Sequence, residues 1–130
     1  MNTHLHILEP YTNLFRVWKD DYLKRQLHNL VRLFIDRILD TETSHLQLFF
    51  NDDWESPYRI ISYGHDIEAS WLLHEAALVL GDKALLDEVE PRVVDIAEAA
   101  TEGSCPSWYT RKEPRFIFWK MKPHRGRIST

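Results

Sequence analysis

Apolar residues in the first hundred positions mostly return every three or four residues, which is the spacing of amphipathic helices. The clearest stripe runs from about Asp21 to Asp40, with charged residues on its opposite side. Its apolar side consists of Leu23, Leu27, Leu30, Val31, Phe34 and Ile38. Asp20 and Asp21 suit the start of a helix, as a cap and as a favourable charge in the first turn. We therefore predict a helix over this range.

The part before this stripe carries a helical pattern that a proline interrupts. Apolar residues recur at helical spacing from Leu5 to Trp18, but Pro10 lies among them. Proline inside a helix removes one hydrogen bond and crowds the carbonyl four residues earlier, here that of His6. The helix either begins near Pro10 or is kinked at His6, and the local sequence favours the first alternative.

A stretch of different character follows the second helix. Between Thr41 and Tyr63 the segments LQLFF and YRIIS flank the turn-rich NDDWESP, which predicts a hairpin or an extended excursion.

Two further helices complete the predicted architecture. One starts near Gly64 or His65 and ends at Gly81, because glycine is typical of helix C-termini. The other covers residues 83–101, with a possible break at Pro91. The predicted fold is all-α, with two helical hairpins joined by an extended loop.

The cysteine content bears on the cellular compartment of the protein. The single cysteine, Cys105, excludes an internal disulfide and is typical of a reducing environment, so a cytoplasmic location is predicted. The N-terminus lacks the regions of a signal peptide, and no apolar run approaches the roughly 20 residues that span a bilayer. No association with a membrane is expected.

Charge separates the last residues from the rest. Residues 1–110 hold 9 Lys and Arg against 19 Asp and Glu, whereas residues 111–130 hold 7 against 1. After Gly103 no helical or strand period persists, so residues 104–130 are predicted to be a basic, aperiodic tail outside the helical domain. A translated wrong frame or a basic extension that touches nucleic acid would both look like this. The first is favoured, and no nucleic-acid partner is expected, because the preceding helices show no basic face.

His65 and Glu68 are the first candidates for chemistry. On a helix they lie three residues apart on neighbouring positions, so the carboxylate could accept a hydrogen bond from the imidazole. That contact would orient the ring and suit it to acid/base catalysis. The same spacing is common in solvated helices, so the pattern alone is a weak signal.

A metal site is a second interpretation of the histidines. His65, Glu68 and a histidine of the N-terminal NTHLH could supply two imidazoles and one carboxylate. His4 and His6, however, diverge by about 200° on a helix and would not face one ion together. No metal site is therefore predicted.

Three segments, MNTHLHILEPYTNLFRVW, LQLFFNDDW and ISYGHDIEASWLLHEAA, resemble cellobiose 2-epimerases of the N-acylglucosamine 2-epimerase family. The resemblance extends from Met1 to about Gly103. It implies that residues 1–103 are part of an (α/α)6 barrel, in which six helical hairpins surround a pocket. It also implies epimerisation at C2 of a ring-opened reducing-end sugar without a cofactor, through proton removal beside the carbonyl and return on the other face.

The resemblance assigns roles to four residues of this chain. His65 corresponds to one of two catalytic histidines, and Glu68 corresponds to its acidic partner. Asn2 and His6 correspond to residues that bind sugar hydroxyls or assist at the carbonyl. His4, between them, is expected to be structural.

The remaining aromatic candidates are less defined. Trp54 and Trp71 belong to the pocket wall or to the core, and the core is favoured for Trp71. No role is predicted for His28, His45 and His74.

The resemblance also implies incompleteness. Members of the family are much longer, and the hairpins that carry their second catalytic histidine have no counterpart here. We expect this chain to be inactive alone and to self-associate through exposed apolar edges. A non-catalytic helical module that binds carbohydrate or another protein is the alternative function.

Overall fold

The computed structural model describes residues 1–104. Residues 105–130, with Cys105 and nearly all of the predicted basic tail, lie outside the described residues.

Two helical hairpins and a connecting segment make up the described chain. The helices are α1 (Asn2–Val17), α2 (Asp21–Leu33), α3 (Tyr63–Leu80) and α4 (Lys83–Ser104), and a π-helical turn (Phe34–Ile38) follows α2. Two short strands, β1 (Leu39–Asp40) and β2 (His45–Leu46), pair antiparallel. The predicted all-α class and the two hairpins with an extended segment between them are confirmed.

Helix α1 differs from the favoured prediction, because it begins at Asn2 and continues through Pro10. Pro10 and His6 both lie on the exposed side, where water can satisfy the carbonyl that the proline leaves unmatched. On the other side Leu5, Leu8 and Phe15 are buried. Burial of this apolar stripe outweighs the local cost of the proline.

Helix α2 begins at its predicted start but ends at Leu33, and a π-helical turn continues the predicted range to Ile38. The Asp20 carboxylate accepts a hydrogen bond from the backbone N–H of Leu23 at 2.9 Å, so the predicted cap is confirmed. The last turn widens into the π-helical segment, and the backbone becomes extended at Leu39.

The connecting segment forms a different hairpin from the one that the sequence suggests. The paired residues are Leu39 with Leu46 and Asp40 with His45, so the strands precede most of LQLFF. Residues 47–62 contain no regular ladder, although the rings of Phe49 and Tyr58 meet edge to face at 6.3 Å.

Helices α3 and α4 are joined by a tight turn at the predicted stop. Gly81 adopts a left-handed conformation with φ 70°, which a side chain would strain. Asp82 then accepts hydrogen bonds from the backbone of Ala84 at 3.0 Å and of Leu85 at 3.3 Å, and so caps α4. Helix α4 passes through Pro91 without ending.

Helices α1 and α3 lie side by side and run parallel. Asn2 at the start of α1 contacts His65 in the first turn of α3, while Arg16 pairs with Glu75 further along both helices. The core fills the space between these helices and their partners, with Phe34, Leu27 and Leu73 among its largest fully buried side chains. This arrangement places the N-terminal ends of α1 and α3 at one edge of the molecule.

Candidate active site

His65 is the third residue of α3, and its ring is held by Ser62. Ser62 is the N-cap residue of α3, and its hydroxyl lies 3.5 Å from the backbone N–H of His65. The same hydroxyl lies 2.8 Å from Nδ1 of the His65 ring. One side chain therefore caps the helix and fixes the imidazole that the first turn carries.

Asn2 contacts the other side of the ring. Its Oδ1 lies 3.2 Å from Nε2 of His65, although the two residues are 63 positions apart in the chain. A carbonyl oxygen can only accept, so Nε2 donates its hydrogen in this arrangement. The structure thus joins two of the residues that the sequence singled out.

The predicted contact between His65 and Glu68 is wrong. Within the described residues both ring nitrogens of His65 are hydrogen-bonded to Ser62 and Asn2 instead. Glu68 lies one turn later on α3 and is half-buried. The Glu68 carboxylate therefore does not orient the ring. The neutral side chains of Ser62 and Asn2 orient it instead.

His6 lies on the same side of α1 as Asn2, four residues further along. It is exposed, so its side chain faces the open edge rather than the core. Asn2 and His6 are therefore both exposed near the N-terminal end of α1, where Asn2 contacts His65.

His4 points into an aromatic environment. Its ring meets Phe34 edge to face at 6.5 Å and lies 6.2 Å from the ring of Trp54. Its Nδ1 is buried, and no hydrogen-bond partner contacts it. Burial lowers the pKa of His4 below its usual 6.5, and the charge of the N-terminal ammonium adds to the effect.

Trp54 and Trp71 are both exposed. Trp71 is 46% exposed on α3, so its assignment to the core is wrong. Trp54 is 39% exposed and has a left-handed backbone with φ 62°. Asn51 stabilises this turn, because its Oδ1 accepts hydrogen bonds from the backbones of Asp53 and Glu55 at 3.0 and 2.8 Å.

Asp66 is a structural residue that the sequence reasoning missed. Its side chain is fully buried, and it accepts hydrogen bonds from Nδ1 of His45 at 2.8 Å and from the backbone of Leu46 at 2.9 Å. It therefore ties β2 to the first turn of α3, beside His65. The only sequence signal was an aspartate in the first turn of the predicted helix, next to the candidate histidine.

Ser62 was also missed, although its signal was present. A serine just before a predicted helix start is a common N-cap. Its second contact, with the ring of His65, depends on the rotamer of the histidine and could not be inferred from spacing.

The described residues were also examined for a metal site and for a membrane-spanning helix. No group of three or more His, Cys, Asp or Glu side chains is arranged to hold a metal ion in residues 1–104. None of the described helices is both long and apolar enough to cross a membrane.

The fold defines a class of protein, since its paired helices form part of an (α/α)6 barrel. No protein-family model matches the chain. The cellobiose 2-epimerase of Bacteroides fragilis is 71% identical over 103 residues, which is 79% of this chain and 26% of that enzyme. The cellobiose 2-epimerase of Dictyoglomus turgidum is 43% identical over 107 residues, or 82% of this chain and 28% of that enzyme.

Solved structures agree with the sequence comparison. The cellobiose 2-epimerase from Bacillus thermoamylovorans B4167 superposes with a TM-score of 0.73 at 48% identity, over 78% of this chain and 26% of that structure. The chain belongs to the cellobiose 2-epimerase family. It spans about a quarter of the length of the relatives that it matches.

Proposed function

We propose that this chain supplies one acid/base group and part of the sugar-binding surface of a sugar 2-epimerase that acts on cellobiose-type disaccharides. His65 is the acid/base, and Glu68 is a carboxylate of the same site without a hydrogen bond to the ring, while Asn2 and His6 bind the sugar. The observation that carries the proposal is the contact of 3.2 Å between Nε2 of His65 and Oδ1 of Asn2. It joins two residues, from distant parts of the chain, whose roles the family resemblance assigns independently.

The chemistry requires a group that gains and loses a proton near neutral pH, which suits imidazole. In the ring-opened sugar, a lone pair of His65 takes the proton on C2, next to the aldehyde. The electron pair of the broken C–H bond moves into an enediolate. Return of a proton to the opposite face inverts C2 and needs a second acid, which the rest of the barrel supplies.

Neutral partners around His65 fit this requirement. A carboxylate on the ring would favour the charged imidazolium and oppose its return to the neutral base. Ser62 and Asn2 carry no charge, so neither adds an ionic preference for the charged ring. Glu68, one turn away and without a contact to the ring, is free to accept a hydrogen bond from a sugar hydroxyl.

The proposed role is that of one part of an enzyme and is not an activity of this chain alone. Because the chain spans about a quarter of its relatives, we expect no measurable epimerisation by this chain alone. Self-association stays a prediction, which the exposure of Val17 (84%) and Trp18 (56%) supports. The cytoplasm stays the predicted compartment, on the evidence of the cysteine content.

A chimera tests the function. Residues 1–103 replace the matching quarter of the Bacteroides fragilis enzyme, and deuterium exchange at C2 of cellobiose is measured in heavy water. We expect the chimera to exchange C2, and the His65→Asn variant to lose about 10²- to 10⁴-fold in rate. His28→Asn, on α2 and away from the site, is the matched control and should retain the rate.

Two outcomes would count against the proposal. Undiminished exchange in the His65→Asn chimera would remove His65 from catalysis. A folded chimera that binds cellobiose without any exchange would favour the non-catalytic carbohydrate-binding module.

A further inference from the structure

The Ser62 hydroxyl lies close to both the backbone N–H and the ring of His65, the proposed acid/base residue. It lies 2.8 Å from Nδ1 of His65 and 3.5 Å from the backbone N–H of the same residue. The backbone of Ser62 is extended (φ −123°, ψ 99°), as N-cap residues are. Its carbonyl accepts the hydrogen bond from Asp66 N at 3.0 Å, which anchors the serine to the first turn. Ser62 is thus fixed relative to the ring that it contacts.

We propose that Ser62 is a positioning residue that keeps Nδ1 of His65 hydrogen-bonded in every protonation state, so that proton exchange with the sugar passes through Nε2. The inference rests on the proposed function for its catalytic part only. A hydroxyl both donates and accepts. It accepts from Nδ1–H when the ring is charged or carries its one proton on Nδ1, and donates to the Nδ1 lone pair when the proton lies on Nε2.

The hydrogen bonds of Nδ1 and Nε2 determine where the ring protons lie in each state. In the free chain Nε2 donates to Oδ1 of Asn2, and Nδ1 accepts from the Ser62 hydroxyl or, in the charged ring, donates to it. During catalysis the ring alternates between the imidazolium and the neutral form with its proton on Nδ1. Nε2 then takes the C2 proton and later gives it up, while the hydrogen on Nδ1 stays bonded to Nδ1 and is donated to the Ser62 hydroxyl.

The charged groups near the ring do not replace this contact. Glu68 lies one turn further along α3 and makes no hydrogen bond to the ring. Asp66, the next residue, turns its carboxylate to His45 and Leu46 instead. The N-terminal ammonium of Met1 donates to the carbonyl of Leu48 at 3.2 Å. Among the described residues, Ser62 is therefore the partner of Nδ1.

Three substitutions separate positioning from helix capping. Glycine is nearly as good an N-cap residue as serine, so Ser62→Gly removes the hydroxyl while the helix persists. Ser62→Thr keeps both hydroxyl functions. Ser62→Asp keeps the cap but can only accept, so it should hold the proton on Nδ1. Ser56→Gly, in the preceding loop, is the matched control because its hydroxyl contacts only the carbonyl of Tyr58 at 3.2 Å.

The first measurement is nitrogen NMR of the His65 ring in the full 130-residue chain, assigned with His65→Gln. In the unsubstituted chain with a neutral ring we expect mainly the form with the proton on Nε2. Ser62→Gly should shift the tautomer populations, and Ser62→Asp should move the proton to Nδ1. Ser62→Thr and Ser56→Gly should leave the tautomer populations of His65 unchanged. Unaltered tautomers in both Ser62→Gly and Ser62→Asp would overturn the inference.

The second measurement uses the chimera with the Bacteroides fragilis enzyme. Ser62→Gly should lower kcat by about tenfold or more with little change in KM, and Ser62→Thr should restore it. Unchanged kcat in Ser62→Gly would overturn the catalytic part. If the unsubstituted chimera shows no exchange while the tautomers respond as expected, the proposed function fails and the positioning contact stands.

Discussion

The carboxylate of Asp66 lies 2.8 Å from Nδ1 of His45, and this contact ties the β-hairpin to the first turn of α3. The Asp66 side chain is fully buried, whereas the His45 side chain is 15% exposed. A second hydrogen bond, from the backbone of Leu46, completes the environment of the carboxylate. The turn that carries His65 is thereby fixed to the segment packed beside it.

Removal of the Asp66 carboxylate is expected to destabilise the chain. Asp66→Ala leaves the buried donor of Leu46 without a partner, which costs roughly 1–3 kcal/mol in the free energy of unfolding. Urea unfolding of the full chain followed by circular dichroism measures this loss. Asp87→Ala is the control, because Asp87 makes an exposed pair with Lys83 at 3.8 Å and should cost about 0.5 kcal/mol or less. Equal losses in the two variants would contradict the anchoring role.

Two glycines are expected to respond oppositely to the same substitution. Gly81 ends α3 with φ 70°, and Gly64 lies in the first turn of that helix, while an added Cβ would meet no atom within 4 Å at either position. Gly81→Ala should therefore destabilise by about 1–2 kcal/mol through backbone strain alone. Gly64→Ala should be neutral or stabilise by up to about 1 kcal/mol.

The measurement is the urea midpoint of both glycine variants beside the unsubstituted chain. A loss at Gly64 equal to that at Gly81 would show that the positive φ of Gly81 does not decide the effect.

His4 is expected to make stability depend on pH. Burial holds its pKa in the folded chain below 6.5, so the unfolded chain binds more protons as the pH falls. The stability that neutral His4 contributes is present above about pH 6.5 and is lost as the pH falls through the folded-state pKa. Urea midpoints at about pH 7 and about pH 5 should therefore differ less in His4→Phe than in the unsubstituted chain.

His6→Gln provides the control for this dependence, because His6 lies on the same helix but is exposed. It should keep the full pH dependence. If His4→Phe retains the same slope as His6→Gln, His4 is not the group responsible.

Most of the helices could be predicted because their apolar spacing and their end signals agree. Asp20 and Gly81 mark helix ends with local chemistry that needs no tertiary partner. Pro10 misled the prediction because its cost is local, while the burial of Leu5 and Leu8 that outweighs it depends on the neighbouring helices.

The same distinction between local and tertiary effects applies to the candidate site. The sequence by itself determined which residue types are available: an imidazole in the first turn of α3, an asparagine at the start of α1, and the motifs that mark the family. Only the tertiary structure decided their partners. Helix spacing made Glu68 the nearest candidate for His65, but the parallel packing of α1 against α3 brings Asn2 to Nε2, and the N-cap geometry brings Ser62 to Nδ1. Contacts between residues 63 positions apart depend on how helices pack, and no local period encodes that.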